Sequence, residues 1–226
     1  MANPQVTPIS ENWHEGGYIV WEPSNGIVTR DPITLLSGAG ICTAGLVLGC
    51  VTVGAGTFAA LGTNTGNPTC GAITVGAPAV AGEYDIVMQD ATHFVVLLPD
   101  GAAAGTGAEV GHGVFGTAFS AGGLGFTITA GGTPCAAGDS FKVTVAAGSG
   151  KYVAFDPTGT DGREVASAIL FSGYRDATSA DKKAVANVRG PMRVNSTELV
   201  WGANVTTTPQ KTAALAALKA LGIQAT

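Results

Sequence analysis

LVLGCVTVGAG, residues 46–56, is an apolar run that ends in closely spaced glycines. Its valines and threonine favour a strand, and its last glycines favour a turn. The pattern occurs again where VTV at residues 143–145 leads into AAGSG at residues 146–150. Such a pair is expected where a self-contained unit has been inserted at a hairpin tip, because loop tips tolerate insertions. In a chain so rich in Ala, Gly, Thr and Val, chance similarity is the alternative.

The composition indicates a β-rich chain with more than one domain. It has 226 residues, including 34 Gly, with 12% charged and 7% aromatic residues. Short strands joined by glycine turns suit this mixture better than long helices do. The length is sufficient for two domains with separate cores. We therefore predict an extended N-terminal arm at residues 1–26, a discontinuous host domain at residues 27–53 plus 149–226, and an inserted β domain at residues 54–148.

Strand-like segments bounded by turn residues occur in both predicted domains. In residues 54–148 their short length and regular spacing indicate a small β-sandwich or barrel. The predicted strands lie at residues 27–30, 33–36, 46–53, 73–75, 84–88, 93–98, 125–129, 141–145, 152–155, 165–171 and 184–188.

One helix is predicted near the C-terminus. Thr208 is suited to the N-cap, Pro209 to the first helical position, and Gly222 to the stop. Helical spacing places three leucines on one face, which we expect to be buried. These leucines are Leu215, Leu218 and Leu221.

Charge and hydropathy argue against two classes of partner. The formal net charge is −5 and the 11 basic residues are scattered, so we predict no nucleic-acid binding. No apolar run reaches the roughly 18 residues that can span a bilayer, so we predict no membrane partner. Residues 1–8 lack the basic and apolar regions of a secretory signal, which predicts assembly in a cytoplasm.

No residue pattern predicts a cofactor or metal site. GAGTFA at residues 54–59 fits a relaxed dinucleotide pattern, but residues 61–68 cannot form the helix that such a site needs. The cysteines form no CxxC pair, and we expect free thiols, with a Cys70–Cys135 disulfide as the less favoured alternative. The four cysteines are Cys42, Cys50, Cys70 and Cys135.

No constellation predicts catalysis either, and we expect no enzyme. The histidines, at positions 14, 93 and 112, lack a neighbouring nucleophile. Residues 156–162 contain two carboxylates but lack the closing Glu of a calcium loop, so a turn is predicted there. Glu83 and Asp85 share a strand face, for which a solvated surface is the expected role.

Four stretches outside residues 54–148 carry a family resemblance. They are MANP at residues 1–4, TLLSGAGICTAGLVLGCVT at 34–52, GKYVAFDP with TDG within 150–162, and ELVW at 198–201. Together they resemble the lambda-type head decoration proteins of tailed phages. In uninterrupted members of that family, the glycine turn before KYV at residues 151–153 directly follows the strand that ends near Thr52, which supports the insertion.

The resemblance implies a small β-barrel or β-tulip-like decoration domain on the outer capsid surface of the virion. It implies a homotrimer that binds the major capsid protein at threefold positions after the head expands. It also implies an N-terminal arm that pairs with coat-protein strands, and exposed aromatic residues in the arm fit such a role. The candidate capsid-binding residues are Trp13, Tyr18, Ile19, Val20, Trp21, Ile27 and Val28.

A virion-surface adhesion module is the alternative function. The inserted domain would then be displayed towards a host surface or a glycan. A sugar-binding platform needs exposed aromatic rings, but the aromatic residues of the insert fall mostly in strand-like contexts that indicate core. The phage, the coat protein and the role of residues 54–148 stay open.

Overall fold

The computed structural model describes residues 14–62, 64–99 and 107–226. Within this part of the chain the fold is mainly β with one C-terminal α-helix, as predicted. The elements are β1 (Ile19–Trp21), β2 (Arg30–Leu35), β3 (Gly40–Cys42), β4 (Val47–Cys50), β5 (Val53–Ala60), β6 (Thr69–Cys70), β7 (Thr74–Val75), β8 (Gly82–Met88), β9 (His93–Leu97), β10 (Glu109–Val114), β11 (Ala118–Ala121), β12 (Leu124–Thr129), β13 (Ser140–Ala147), β14 (Tyr152–Ala154), β15 (Ala166–Leu170), β16 (Arg175–Ala177), β17 (Lys182–Asn187), β18 (Met192–Val194), α1 (Thr208–Ala220) and β19 (Ile223–Ala225), with 3-10 turns at Pro23–Gly26 and Ser196–Glu198.

The flanking segments, residues 14–53 and 149–226, form a small barrel with two further sheets. The barrel strands pair in the closed order β14–β2–β17–β15–β4. A three-stranded sheet has the order β1–β18–β19, and β16 pairs with β3. Leu35 and Leu48 are fully buried in one apolar cluster, and Met192 and Leu218 lie in a second cluster beneath the helix. Alternating apolar residues therefore supply two adjoining cores.

The middle segment, residues 54–148, forms two sheets around one core. One sheet has the order β10–β9–β8–β13–β5, and the other has the order β11–β12–β6, with β7 also paired to β12. Tyr84, Phe94 and Ile128, each 0% exposed, lie in their shared apolar cluster. That cluster contains residues from Val53 to Val145.

The chain enters the middle segment through residues 51–53 and leaves it through residues 147–151. These two stretches lie side by side, and we call them the neck. Val53 of β5 lies opposite Ala147 of β13. Gly148 N–H donates to the Thr52 carbonyl at 3.0 Å, and Val51 N–H donates to the Lys151 carbonyl at 2.9 Å. The two crossings are therefore held together by hydrogen bonds.

The glycine turn predicted at residues 54–56 is wrong. These residues lie inside β5, where Gly56 is opposite Val145. A Cβ atom on Gly56 would stand 2.6 Å from Ile73 Cγ2. The glycine therefore allows a close approach between chain segments instead of reversing the chain.

Two of the predicted strands also differ from the structure. The strand predicted at residues 46–53 is broken, because β4 ends at Cys50 and Thr52 N–H donates to the Asp161 carbonyl at 2.8 Å. The strand predicted at residues 27–30 is also different, because the observed strand β2 begins only at Arg30. Ile27 is the C-cap of the preceding 3-10 turn.

The predicted helix is confirmed, with its N-terminus shifted by one residue. Thr207, and not Thr208, is the N-cap. The Gln210 side-chain oxygen accepts from Thr207 N–H at 2.9 Å. This reciprocal capping arrangement fixes the start of the helix at Thr208.

The expected burial of the helix leucines holds for part of the set. Leu218 is 1% exposed, but Leu221 is 39% exposed. The helix ends before Leu221, and Gly222, with a φ of 83°, turns the chain into β19. Ile223, 1% exposed, supplies the buried side chain instead.

We expect Phe94→Ala to lower the free energy of unfolding by about 3–5 kcal/mol, since it removes a fully buried ring. Phe94 lies 6.1 Å from Phe119 and 6.2 Å from Phe126, measured between ring centroids. Val114→Ala is the control, because Val114 is 41% exposed on the neighbouring strand. Urea denaturation measures both variants, and equal losses would contradict the described core.

Candidate functional site

Exposed apolar side chains occur on both sides of the first 3-10 turn. Val20 is 59% exposed and Trp21 is 52% exposed before the turn, and Ile27 is 84% exposed and Val28 is 45% exposed after it. We call these four side chains the N-terminal patch. Apolar groups exposed together in this way are typical of surfaces that bind another protein.

The patch includes an edge strand. In the described residues β1 pairs with β18 and stands at the end of the sheet order β1–β18–β19. An edge strand presents backbone N–H and C=O groups to which an extended chain can add. The site therefore combines side-chain anchors with a backbone template.

A network of polar side chains supports the segment that carries the patch. The Glu22 carboxylate accepts hydrogen bonds from Thr29 Oγ1 at 2.9 Å and from Asn187 Nδ2 at 3.3 Å. It also forms an ion pair with Arg30. The Arg30 guanidinium lies 3.6 Å from the centroid of the Phe171 ring, a cation–π contact. Glu22 thus ties both ends of the 3-10 turn to the barrel.

Tyr18 connects this network to the core. Its side chain is 2% exposed and its hydroxyl donates to Asn187 Oδ1, a residue that is 0% exposed. Burial raises the pKa of the Tyr18 hydroxyl above its usual range, so the group stays a protonated donor. Tyr18 is therefore a structural anchor of β1.

The structure separates the seven predicted capsid-binding residues into three groups. Val20, Trp21, Ile27 and Val28 are exposed, as a contact surface requires. Tyr18 is buried, so its side chain is not presented to a partner, and Ile19 is half-buried and packs against the same core. Trp13 lies outside the described residues.

Part of the extended arm predicted at residues 1–26 is a paired strand in the described residues. Residues 19–21 are a strand paired with β18, and Asn195 N–H donates to the Tyr18 carbonyl at 2.8 Å. Sequence patterns gave no indication of this pairing because the partner strand is far along the chain. The segment from Tyr18 onwards is part of the folded domain.

The cysteines and the histidine His93, which the sequence offers as reactive residues, make ordinary contacts in the structure. All four cysteines are free thiols, and burial raises the pKa of Cys42, Cys50 and Cys70. Exposed His93 pairs with Asp90 at 2.8 Å. Residues 14–62, 64–99 and 107–226 contain no group of His, Cys, Asp and Glu side chains that could hold a metal ion. In the same ranges no helix has the length and apolar character to cross a membrane.

A family model described as bacteriophage lambda head decoration protein D matches residues 8–223. The chain belongs to this family. The match extends across both the flanking and the middle segments. Membership in this family supports capsid decoration as the general role of this protein. The family is structural and not enzymatic.

Solved structures show a limited similarity to this decoration protein. Xanthomonas campestris FlgL, in two crystal forms, is 22% and 23% identical over 46% and 45% of this chain and 33% and 31% of that chain, with TM-scores of 0.32 and 0.31. The flagellar hook junction protein FlgK from Burkholderia pseudomallei is 22% identical over 56% of this chain and 21% of that chain, with a TM-score of 0.31. The chain spans a third or less of those proteins, and such scores carry no functional argument. A comparison with curated proteins finds no match.

We expect Tyr18→Phe to lower the free energy of unfolding by about 1–3 kcal/mol, because it leaves the buried Asn187 oxygen without its donor. Tyr174→Phe is the matched control, since Tyr174 is 61% exposed. Its effect should stay within about 0.5 kcal/mol. Chemical denaturation followed by circular dichroism measures both. A neutral Tyr18→Phe variant would show that the network does not stabilise the fold.

Proposed function

We propose that this protein stabilises the expanded phage head as a homotrimer at threefold positions, where its N-terminal region pairs with coat-protein strands. The observation that carries the proposal is the N-terminal patch, two of whose side chains lie on the edge strand β1, in a chain of the head decoration family. The protein is made and assembled in the host cytoplasm. It has no catalytic role.

Addition to the β1 edge accounts for binding in physical terms. A coat-protein strand paired there would gain backbone hydrogen bonds, while Trp21 and Ile27 would supply large apolar anchors. The Glu22 network holds both sides of the patch before binding, which reduces the entropy lost on association. Part of the surface is therefore preorganised.

Trimerisation would strengthen this contact. Once one subunit binds, the contacts of the other two become intramolecular, which raises avidity without any new interaction. A trimer that binds the expanded head and not its precursor stabilises the expanded state by mass action. Cementing the shell then requires no chemical step.

We also propose that residues 54–148 are an inserted domain and that the flanking segments alone are the decoration module. Two features support this division. The middle segment has its own apolar cluster, and its two ends meet at the neck. A segment with joined ends can be added to a hairpin without disturbing the sheet that carries it.

The adhesion alternative gains no support from the aromatic residues. Every aromatic side chain in residues 54–148 is buried or half-buried, so none offers the exposed ring of a sugar platform. Phe58 stacks on Phe141 with 5.5 Å between centroids, and Phe119 stacks on Phe126 at 4.9 Å. These rings serve the core.

The double variant Trp21→Ala, Ile27→Ser should bind expanded capsids at least about tenfold more weakly, since it removes two exposed anchors. Co-sedimentation with expanded and unexpanded capsids measures binding. Val80→Ser is the control, because Val80 is an apolar residue of the middle segment that is 50% exposed, close to the 52% of Trp21. A truncation of residues 1–13 separates the arm from the patch. Full affinity in both the double variant and the truncation would overturn the proposed binding mode.

Excision of residues 54–148, with Val53 joined to Ser149, should leave a folded decoration module. Val51 and Lys151, which both remain, are already joined by a hydrogen bond of 2.9 Å from the Val51 N–H to the Lys151 carbonyl, so the short connection from Val53 to Ser149 can close the gap. Binding of the shortened protein to expanded capsids should match that of the full chain. An unfolded product would show that the division of the chain is wrong.

A further inference from the structure

Glu164 makes a contact between the two segments outside the neck. Its Oε1 atom accepts from Ala77 N–H at 2.6 Å, and its Oε2 atom accepts from Gly162 N–H at 2.8 Å. Ala77 lies between β7 and β8 in the middle segment, and Gly162 lies in a flanking-segment loop. One half-buried carboxylate thus binds backbone donors from both sides.

The surroundings of this contact leave room for movement. A groove of about 270 Å³, lined by Cys50, Pro78 and Val165, lies where the two segments meet beside Glu164. A second groove, of about 510 Å³, lies by the neck and is lined by residues that include Ala55, Ile73 and Thr160. Apart from Val53 in the neck, the apolar cluster of the middle segment contains no flanking residue, and the other two clusters contain flanking residues only.

The neck alone is a weak constraint on orientation. It consists of two antiparallel strands joined by backbone hydrogen bonds, and the Asp161 carbonyl accepts from Thr52 N–H and Val53 N–H. Two-stranded ribbons have larger twists than wider sheets, so their geometry constrains orientation less. A further attachment on another loop restricts that twist. Hydrogen bonds from N–H groups to an ionised carboxylate are among the stronger ones in proteins.

We propose that Glu164 is a positioning residue that sets the angle between the inserted domain and the decoration module. This inference rests on the proposed division of the chain. By holding the Ala77 loop against the Gly162 loop, the carboxylate directs the inserted domain along a fixed direction away from the capsid-binding module. The two grooves at the boundary accommodate the rotation that loss of this contact releases.

The chemistry of the contact distinguishes Glu from its nearest substitutes. A Gln side chain has one acceptor oxygen, and its NH₂ group would face the second N–H donor. An Asp side chain is shorter by one methylene and cannot span the same two donors. Glu164→Ala removes the contact entirely. We therefore expect the order of loss to be Ala first, then Gln and Asp.

Residual dipolar couplings from the intact protein test the proposal. The amides of residues 54–99 and 107–148 and those of the flanking segments should fit one alignment tensor in the wild type and two in Glu164→Ala. Hydrogen exchange at Ala77 should accelerate by about tenfold or more in that variant, and Glu164→Gln should be intermediate. Glu83→Gln is the control, because Glu83 pairs with Lys142 at 2.5 Å within one sheet.

Two outcomes would overturn the proposal. One is a single unchanged tensor in Glu164→Ala together with unchanged exchange at Ala77. The other is a wild-type protein whose two segments already require unrelated tensors. Should Glu164→Ala fail to fold, the Gln and Asp variants provide the same measurements. Capsid co-sedimentation should be the same in all variants as in the wild type. If the proposed function is wrong, the wild type itself will not co-sediment with expanded capsids, and the measurement of the angle between the segments stays valid.

Discussion

Antiparallel pairing of the two chain segments that cross the neck is the constraint on which the rest of the structure depends. Below the neck, Cys50 of β4 lies opposite Tyr152 of β14 in the barrel. Above it, Val53 of β5 lies opposite Ala147 of β13 in the middle segment. The same two stretches of chain thus pair with each other in both sheet systems, as β4 with β14 and as β5 with β13. The barrel stays closed because β4 and β14, which the middle segment separates in sequence, remain neighbours.

A second constraint holds the N-terminal segment to the barrel. The buried Asn187 side chain accepts a hydrogen bond from the Tyr18 hydroxyl and donates one to the Glu22 carboxylate. Glu22 also forms an ion pair with Arg30. Buried polar groups are stable when each finds a partner, and here every member bonds another. This network makes β1 a fixed edge, so the apolar side chains beside it are displayed in one arrangement instead of moving with a free arm.

The flanking and middle segments differ in the roles that their structures support. In the proposed function the flanking segments present the capsid-binding surface, and the middle segment has a core and aromatic residues of its own. Membership in the head decoration family establishes the general role. The contact between Glu164 and Ala77 adds a means to orient one part relative to the other.

Local sequence determined the β-rich class, most strands of the middle segment, the terminal helix, and apolar residues near the N-terminus that are exposed. Alternation and capping residues act over a few positions, so they can be read directly from the chain. The turn predicted at residues 54–56 is wrong because glycine occurs both in turns and where two chain segments pack closely. Only the tertiary structure decided that Tyr18 is core while Trp21 is surface, since the Tyr18 partner lies 169 residues away. Glu22, Arg30 and Glu164 acquired their roles in the same way, through contacts that no local pattern encodes.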